Sequence, residues 1–275
     1  MIDFRGKTAV ITGGSAGIGR SLALALAKQG MNIVVAATNR QRLESVVDEV
    51  RKIGVRSTAI LCDVSQQAQV EALAEQAFAE YGEVNLLCNN AGVTTIGPFL
   101  DHTASDWAWV YGVVLMGVVY GIQAFYPRMV RQGGGQIMNT HSQAGLVPDY
   151  NLNHGPYTSA KAGVMALSVA LRPEAAEHGI GVSVLIPYAV RTDILLSERS
   201  RPPVYGGPRE PVVRLPTIRP GAPAPAPGPF MLEPDEVARI AIEGLKEDRP
   251  FITTHKGMRP ISADYFERIL SAYDV

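Results

Sequence analysis

Tyr157 and Lys161 stand four residues apart, fifteen residues after Ser142. On a helix that spacing puts both side chains on one face, close enough for the ammonium to act on the phenol. A tyrosine beside a cation can trade a proton near neutral pH, because the positive charge favours the phenolate. Ser142 adds a hydroxyl that can donate to an oxygen as it gains charge. The second chemical feature comes much earlier, in Thr12-Gly13-Gly14-Ser15-Ala16-Gly17-Ile18-Gly19, between an apolar strand-like run and a helical one. A glycine-rich turn that delivers the chain to a helix N-terminus is where a pyrophosphate sits. No Gly-x-x-x-x-Gly-Lys-Ser/Thr pattern occurs, which argues against a P-loop nucleotidase. A proton donor together with a dinucleotide site reads as hydride transfer.

These groups need a frame, and the chain alternates strand and helix almost throughout. Strands are expected at 7–12, 32–37, 57–62, 85–88, 136–140, 181–186 and 251–253, short and apolar on both faces as in a parallel sheet covered by helices. Helices are expected at 18–29, 40–53, 66–81, 105–129, 157–177, 234–246 and 263–272, with Pro173 kinking the fifth or ending it early. This pattern predicts an α/β fold: one Rossmann-type, doubly wound parallel sheet of about seven strands, with helices on both faces, formed by the whole chain as one domain. In such sheets the strand ends after Thr12, Thr140 and Ile186 converge on one crevice. One stretch breaks the rhythm. Residues 200–229 hold ten of the nineteen prolines and sit among several arginines, so a lid over the substrate site is expected at about 197–233.

The acid that would grip a ribose 2′-hydroxyl belongs at the end of the second strand. There the chain reads Ala37-Thr38-Asn39-Arg40, with no carboxylate. Thr38, Asn39 and Arg40 could instead surround a 2′-phosphate, which favours NADP(H) over NAD(H) on charge complementarity; Arg40 could equally begin a solvated helix.

Composition narrows the class further. The 275 residues carry a net charge of −1, so no nucleic-acid or membrane partner is implied. Cys62 and Cys88 are the only cysteines; they suit reduced thiols in a cytoplasmic protein, and the start Met1-Ile2-Asp3-Phe4-Arg5 lacks the order of a secretory signal. Residues 107–127 contain no charge until Arg128 and nearly reach membrane-spanning length, but their glycines and their place in the α/β alternation predict a buried or subunit-facing helix. The five histidines show no metal spacing.

As a set, Thr12–Gly19, Asp63-Val64, Asn89-Asn90-Ala91-Gly92, Ser142, Tyr157-x-x-x-Lys161 and Pro187 with Thr192 resemble the short-chain dehydrogenase/reductase family from about Phe4 to the C-terminus. The resemblance implies that Ser142, Tyr157 and Lys161 are catalytic, with Lys161 lowering the tyrosine pKa and holding the nicotinamide ribose. It implies a cofactor held by Gly13, Ser15, Ala16, Gly17, Ile18 and Gly19 at the pyrophosphate and by Asp63 and Val64 at the adenine. Asn90, Ala91 and Gly92 would line the ribose, and Pro187, Val190 and Thr192 would meet the nicotinamide end. The Ala37-Thr38 pair is similar to that of NADPH-dependent ketoacyl reductases in the family, whereas the basic residue common in NADP-preferring glycine loops is replaced by Ser15-Ala16. The family's helix-four asparagine, which resides in a proton relay to the lysine, is also replaced: Val114 occupies its place and can neither donate nor accept. Tyr188 stands where the family's glycine follows Pro187.

The resulting expectation is an NAD(P)-dependent oxidoreductase interconverting a secondary alcohol and a ketone, with Tyr157 as acid in reduction and base in oxidation. Phe99, Tyr150, Tyr188 and Tyr205 fall in the segments that would form the pocket, which favours a bulky hydrophobic or aromatic substrate. His154 and Tyr188 are expected to touch it together with Ser142 and Tyr157. The rival reading is a catalytically weak NADP(H)-binding sensor, on the strength of Val114. Apolar faces around 113–126 and after Tyr157 predict a homodimer or homotetramer.

Overall fold

The computed structural model describes residues 3–210 and 217–274; residues 211–216, inside the expected lid, lie outside the described residues. Seven strands form one sheet: β1 (Thr8–Thr12), β2 (Asn32–Ala37), β3 (Ser57–Leu61), β4 (Leu86–Asn89), β5 (Gly135–Thr140), β6 (Ile180–Ile186) and β7 (Phe251–Thr253). Their order is β3-β2-β1-β4-β5-β6-β7 and every pairing is parallel. The order reverses between β1 and β4, so the crossovers before and after that point go to opposite sides and leave a crevice at the carboxyl ends. The chemistry-bearing segments all leave the sheet at those ends: the glycine turn after β1, Thr38-Asn39 after β2, Asn90-Ala91 after β4, Ser142 after β5 and Pro187-Tyr188 after β6.

Alternation along each strand divides the core in two. Val10, Val34, Leu87, Ile137 and Val182 face one layer, while Ala9, Ile11, Ile33, Val35, Met138 and Leu185 face the other. Both faces being apolar is why the central strands read as continuous hydrophobic runs. The second layer is covered by α1 (Gly17–Lys28), α2 (Arg40–Lys52) and, at the far end of the chain, a helix at Pro234–Lys246. The first is covered by α3 (Gln67–Tyr81), by α4 (Ala104–Tyr111) continuing into α5 (Gly117–Gln132), and by α6 (Gly155–Ala176). With the Pro234–Lys246 helix as α7 and Arg259–Leu270 as α8, the helix set matches the sequence expectation closely.

Two helices differ from that expectation. The segment expected as one helix over 105–129 has a π-helical turn at Gly112–Met116, and Val114 lies within it, fully buried. This segment is long and apolar enough to cross a membrane by length and composition alone, yet half of its apolar window is buried within the protein. Gly121 shows why the segment is glycine-rich: a Cβ there would fall 2.2 Å from Asn89 Oδ1 at the end of β4. The second difference concerns Pro173, which neither ends nor shortens α6; the helix runs on to Ala176. The carbonyl deprived of its donor belongs to Val169, which is exposed, so water can replace the missing bond.

The segment after β6 is ordered locally by short pairings. Ala189–Val190 pairs in parallel with Met231–Leu232, and Asn151–Leu152 pairs antiparallel with Thr217–Ile218. Between them lie 3₁₀ turns at Asp193–Ser200 and Pro203–Tyr205.

Candidate active site

The glycine turn is built for close approach. Gly13 has φ +65°, and a Cβ there would sit 2.8 Å from Ala91 Cα; at Gly19 it would sit 2.2 Å from Gly13 O. Thr12 ties this turn to the next segment, because its Oγ accepts from the backbone N–H of Asn90 (3.0 Å) and of Ala91 (3.1 Å). Asn90 answers with its side-chain amide, donating to Thr12 O at 3.1 Å, and accepts from Thr140 Oγ at 3.3 Å. Three strand ends are thereby locked together around the start of α1. The residue before that helix, Ala16, offers no side-chain cap, and the first turn holds no acidic residue. Its backbone donors and dipole are therefore aimed into the crevice, as an anionic pyrophosphate requires.

A cavity of about 780 Å³ runs from this turn to the catalytic groups. Gly13, Ser15, Ala16, Gly17, Ile18, Thr38, Asn39, Asp63, Val64, Asn90, Ala91, Gly92, Pro187, Tyr188, Val190 and Thr192 line it, and so do Ser142, Tyr157 and Lys161. Six expected residues do not, among them the pocket aromatics Phe99, Tyr150 and Tyr205. Gly19 acts from behind the loop, packed on Gly13 and Asn90. Arg40 lies on the exposed flank of α2 with its guanidinium 3.9 Å from Glu44, and Arg42 lines the cavity instead. The cause is the cap: Asn39 Oδ1 accepts from Arg42 N at 2.9 Å, which starts the helix at Arg40 and brings residue 42 to the crevice. His154 is buried beneath Tyr157, its ring stacked at 4.7 Å between centroids, with Nε2 2.5 Å from Thr94 Oγ.

Ser142 is the N-cap of a short helix, Gln143–Leu146, its Oγ accepting from Ala144 N at 3.2 Å. Tyr157 and Lys161 lie on successive turns of α6, both buried. Lys161 Nζ donates to Thr140 O at 2.5 Å and stands 5.6 Å from the Tyr157 ring centroid. Burial pushes the Tyr157 phenol up to about 12, and a hydrogen bond with the Ser142 side chain opposes it. Burial pulls Lys161 down to about 7. The expected lowering of the phenol by Lys161 is not seen: burial raises it, Ser142 is the group that opposes, and the ammonium is directed at Thr140 O. The lysine becomes the group that changes charge near neutral pH. His141, next to Ser142, is fully buried with neither ring nitrogen bonded, and burial, then the Lys161 charge, lowers it to about 3. His154 is lowered to about 4, by burial and then by His102.

Sequence reading missed several walls of the cavity: Trp109 and Val113 from the α4 side, and Asp193 and Ile194 from the segment after β6; Ser197 and Arg199, which also line it, fall in the expected lid. Trp109 and Val113 are four apart, as one helix face requires, but nothing in the sequence says which face of that apolar helix meets the crevice.

A family model described as short chain dehydrogenase matches residues 7–202. The chain belongs to the short-chain dehydrogenase family. The seven-stranded parallel sheet flanked by helices is the fold of that family. A cyclohexanol dehydrogenase from Acinetobacter sp. (strain SE19) is 31% identical over 251 residues, covering 91% of this chain and 92% of that one. Among solved structures, a short-chain dehydrogenase/reductase from Burkholderia phymatum in complex with NAD is 35% identical, with a TM-score of 0.88 over 99% of this chain and 97% of that chain. A short-chain dehydrogenase from Sphingobium yanoikuyae in complex with NADPH is 27% identical, with a TM-score of 0.74 over 97% and 95% of the two chains. This short-chain dehydrogenase is an NAD(P)-dependent oxidoreductase acting on CH–OH groups.

Proposed function

We propose that the protein interconverts a bulky, largely apolar secondary alcohol and its ketone, with Ser142, Tyr157 and Lys161 catalytic and NADP(H) preferred. One observation supports this above the rest: the Ser142–Tyr157–Lys161 side chains and the glycine cradle line one continuous cavity that continues between Trp109, Val113, Tyr188 and Ile194. Gly13, Ala16, Gly17, Asn90 and Thr192 would hold the dinucleotide, and the nicotinamide supplies or accepts the hydride when bound. In reduction the carbonyl carbon gains a hydride, the C=O π electrons move to oxygen, and Tyr157 Oη gives that oxygen its proton. Ser142 donates a hydrogen bond to the same oxygen as its charge grows. Lys161, pulled down to about 7 by burial, brings a titratable positive charge to 5.6 Å from the Tyr157 ring centroid.

The cofactor preference rests on charge. Arg42 Nη1 and Arg199 Nη2 converge on the Asp193 carboxylate, at 3.0 and 2.7 Å, beside Thr38 and Asn39 in the same cavity. Two guanidinium groups against one carboxylate leave one positive charge for a 2′-phosphate. The residues from Ile194 to Pro202 that line the cavity act as part of a lid over the substrate. A homo-oligomer belongs to this reading, and light scattering tests it. A second reading, a cofactor-binding protein with little turnover, draws on Val114, whose buried side chain brings no polar atom to the helix-four position.

The deciding experiment follows cofactor absorbance with a panel of aryl and alicyclic secondary alcohols and ketones, NADP(H) and NAD(H) in parallel. Turnover of bulky substrates with the phosphorylated cofactor is expected. Tight cofactor binding with no turnover across the panel would favour the second reading.

A further inference from the structure

The most thoroughly buried charge among the described residues is outside the catalytic set. Arg201 follows the 3₁₀ turn at Asp193–Ser200, and its side chain has no exposure, although arginine is among the residues least often buried. Each of its three nitrogens has a partner. Nη1 donates to Asp106 Oδ1 at 2.5 Å and to Glu198 Oε2 at 3.2 Å, Nε donates to Tyr205 O at 2.7 Å, and Nη2 reaches Ser105 Oγ at 3.4 Å. Asp106 is itself fixed: its other oxygen accepts from the N–H and hydroxyl of Thr103, both at 2.7 Å, forming the capping box of α4. Ser105 Oγ donates to Tyr205 O at 2.7 Å, and Arg209 adds a contact to Asp106 at 3.1 Å. The first turn of α4 and the chain from 198 to 209 are therefore fastened at several points.

What the fastening holds is the wall of the substrate end. Arg201 Cζ lies 5.1 Å from the centroid of the Trp109 ring, and Trp109 lines the cavity. Ser197, Ser200 and Pro202, within four residues of Arg201 along the chain, line it too. One guanidinium thus backs the indole and anchors the neighbouring backbone, both of which line the same cavity.

We propose that Arg201 is a positioning residue that holds the wall against which the bulky part of the substrate packs, by clasping residues 197–202 to Asp106 and backing the indole of Trp109. The proposal rests on the secondary-alcohol reading above for the kind of substrate that touches that wall. Geometry favours a positioning role over simple stabilisation. A buried pair is by itself weak support for stability, because desolvation offsets its attraction, but its planar, forked bonds fix the segments they join.

The test compares wild type with Arg201→Leu, Arg201→Lys and Asp106→Asn, as full-length protein. Steady-state reduction of a 1,2-diaryl ketone and of cyclohexanone is measured alongside the cofactor dissociation constant and hydrogen exchange over 194–205. In the leucine and asparagine variants kcat/KM for the diaryl ketone should fall about tenfold or more, chiefly through KM, while cyclohexanone and cofactor binding stay within about threefold. Exchange over 194–205 should quicken. Arg201→Lys, a point charge without the fork, should lie between. If Arg201→Leu fails to fold, the other two variants carry the comparison. Equal losses on both ketones, a matching loss of cofactor affinity, or unchanged exchange would overturn the proposal. Should wild type reduce neither ketone, the substrate reading fails, and exchange over 194–205 decides the clasp alone: faster in the variants upholds it, unchanged refutes it.

Discussion

Two buried, neutral histidines should make this protein unusually sensitive to mild acid. His141 and His154 have folded pKa values of about 3 and about 4, against an ordinary 6.5. A histidine whose pKa is lowered by folding binds its proton first in the unfolded chain. Its contribution is therefore fully present above pH 6.5 and is lost as pH falls toward the folded value. At pH 5 the unfolded imidazoles are almost wholly charged while both folded ones remain neutral, so each costs about 2 kcal/mol relative to pH 7, about 4 kcal/mol together. His255, also lowered by burial, acts in the same direction. Lys161, at about 7, adds only about 0.4 kcal/mol in that interval, because both states are protonated below it. The salt-bridged carboxylates Asp106 and Asp193 have lowered pKa values and respond at lower pH, so the interval from 7 to 5 isolates the imidazoles. Urea unfolding at pH 7 and pH 5 measures the difference. In the double variant His141→Asn with His154→Asn the loss should shrink by about 4 kcal/mol, whatever its stability at pH 7. An unchanged loss would refute the argument that these two rings are held neutral.

Tyr157→Phe should lower kcat by about 10²- to 10⁴-fold and leave the cofactor dissociation constant within about threefold, as measured by stopped-flow turnover and cofactor fluorescence. Arg42→Ala should lower kcat/KM for NADPH by about tenfold or more and leave NADH nearly unchanged, a charge-assisted bond to the 2′-phosphate having been removed; an equal effect on both cofactors would sink the NADP preference. Cys62 and Cys88, both buried and pushed up to about 12, should resist iodoacetamide in the native protein at pH 8 and both react in urea, as read by mass spectrometry. Gly121→Ala should cost about 1–3 kcal/mol in thermal or urea unfolding, since its methyl collides with Asn89.

The parts of the design legible in the sequence were those set by local rules. Strand positions followed from apolar runs, the glycine turn from its place between β1 and α1, and the Tyr157–Lys161 pairing from helical spacing. Features that depend on partners distant in the chain were not legible. Arg201 read as one arginine among several in a Pro-rich stretch, because its partner Asp106 lies ninety-five residues earlier. Sequence points to Arg40 rather than Arg42, since two residues on one helical turn point apart and only the Asn39 cap decides which meets the crevice. His154 was expected against the substrate, but Tyr157 covers it. Pro173 reads as a helix breaker because sequence does not show that the carbonyl it deprives, at Val169, belongs to an exposed residue.

The parallel pairing of Ala189–Val190 with Met231–Leu232 has a practical consequence for redesign. It brings the two ends of the excursion after β6 side by side, reinforced by Arg191 N donating to Leu232 O at 3.0 Å. What lies between is also tied elsewhere, by Arg201 to Asp106 and by Thr217–Ile218 to Asn151–Leu152, so length can be varied between those ties; doubling such a loop costs only about 0.6 kcal/mol in closure entropy. A segment grafted from another member between the two short strands would therefore reshape the chamber only if it kept Thr192, Asp193 and Arg199 at the cofactor and brought its own partner for Asp106.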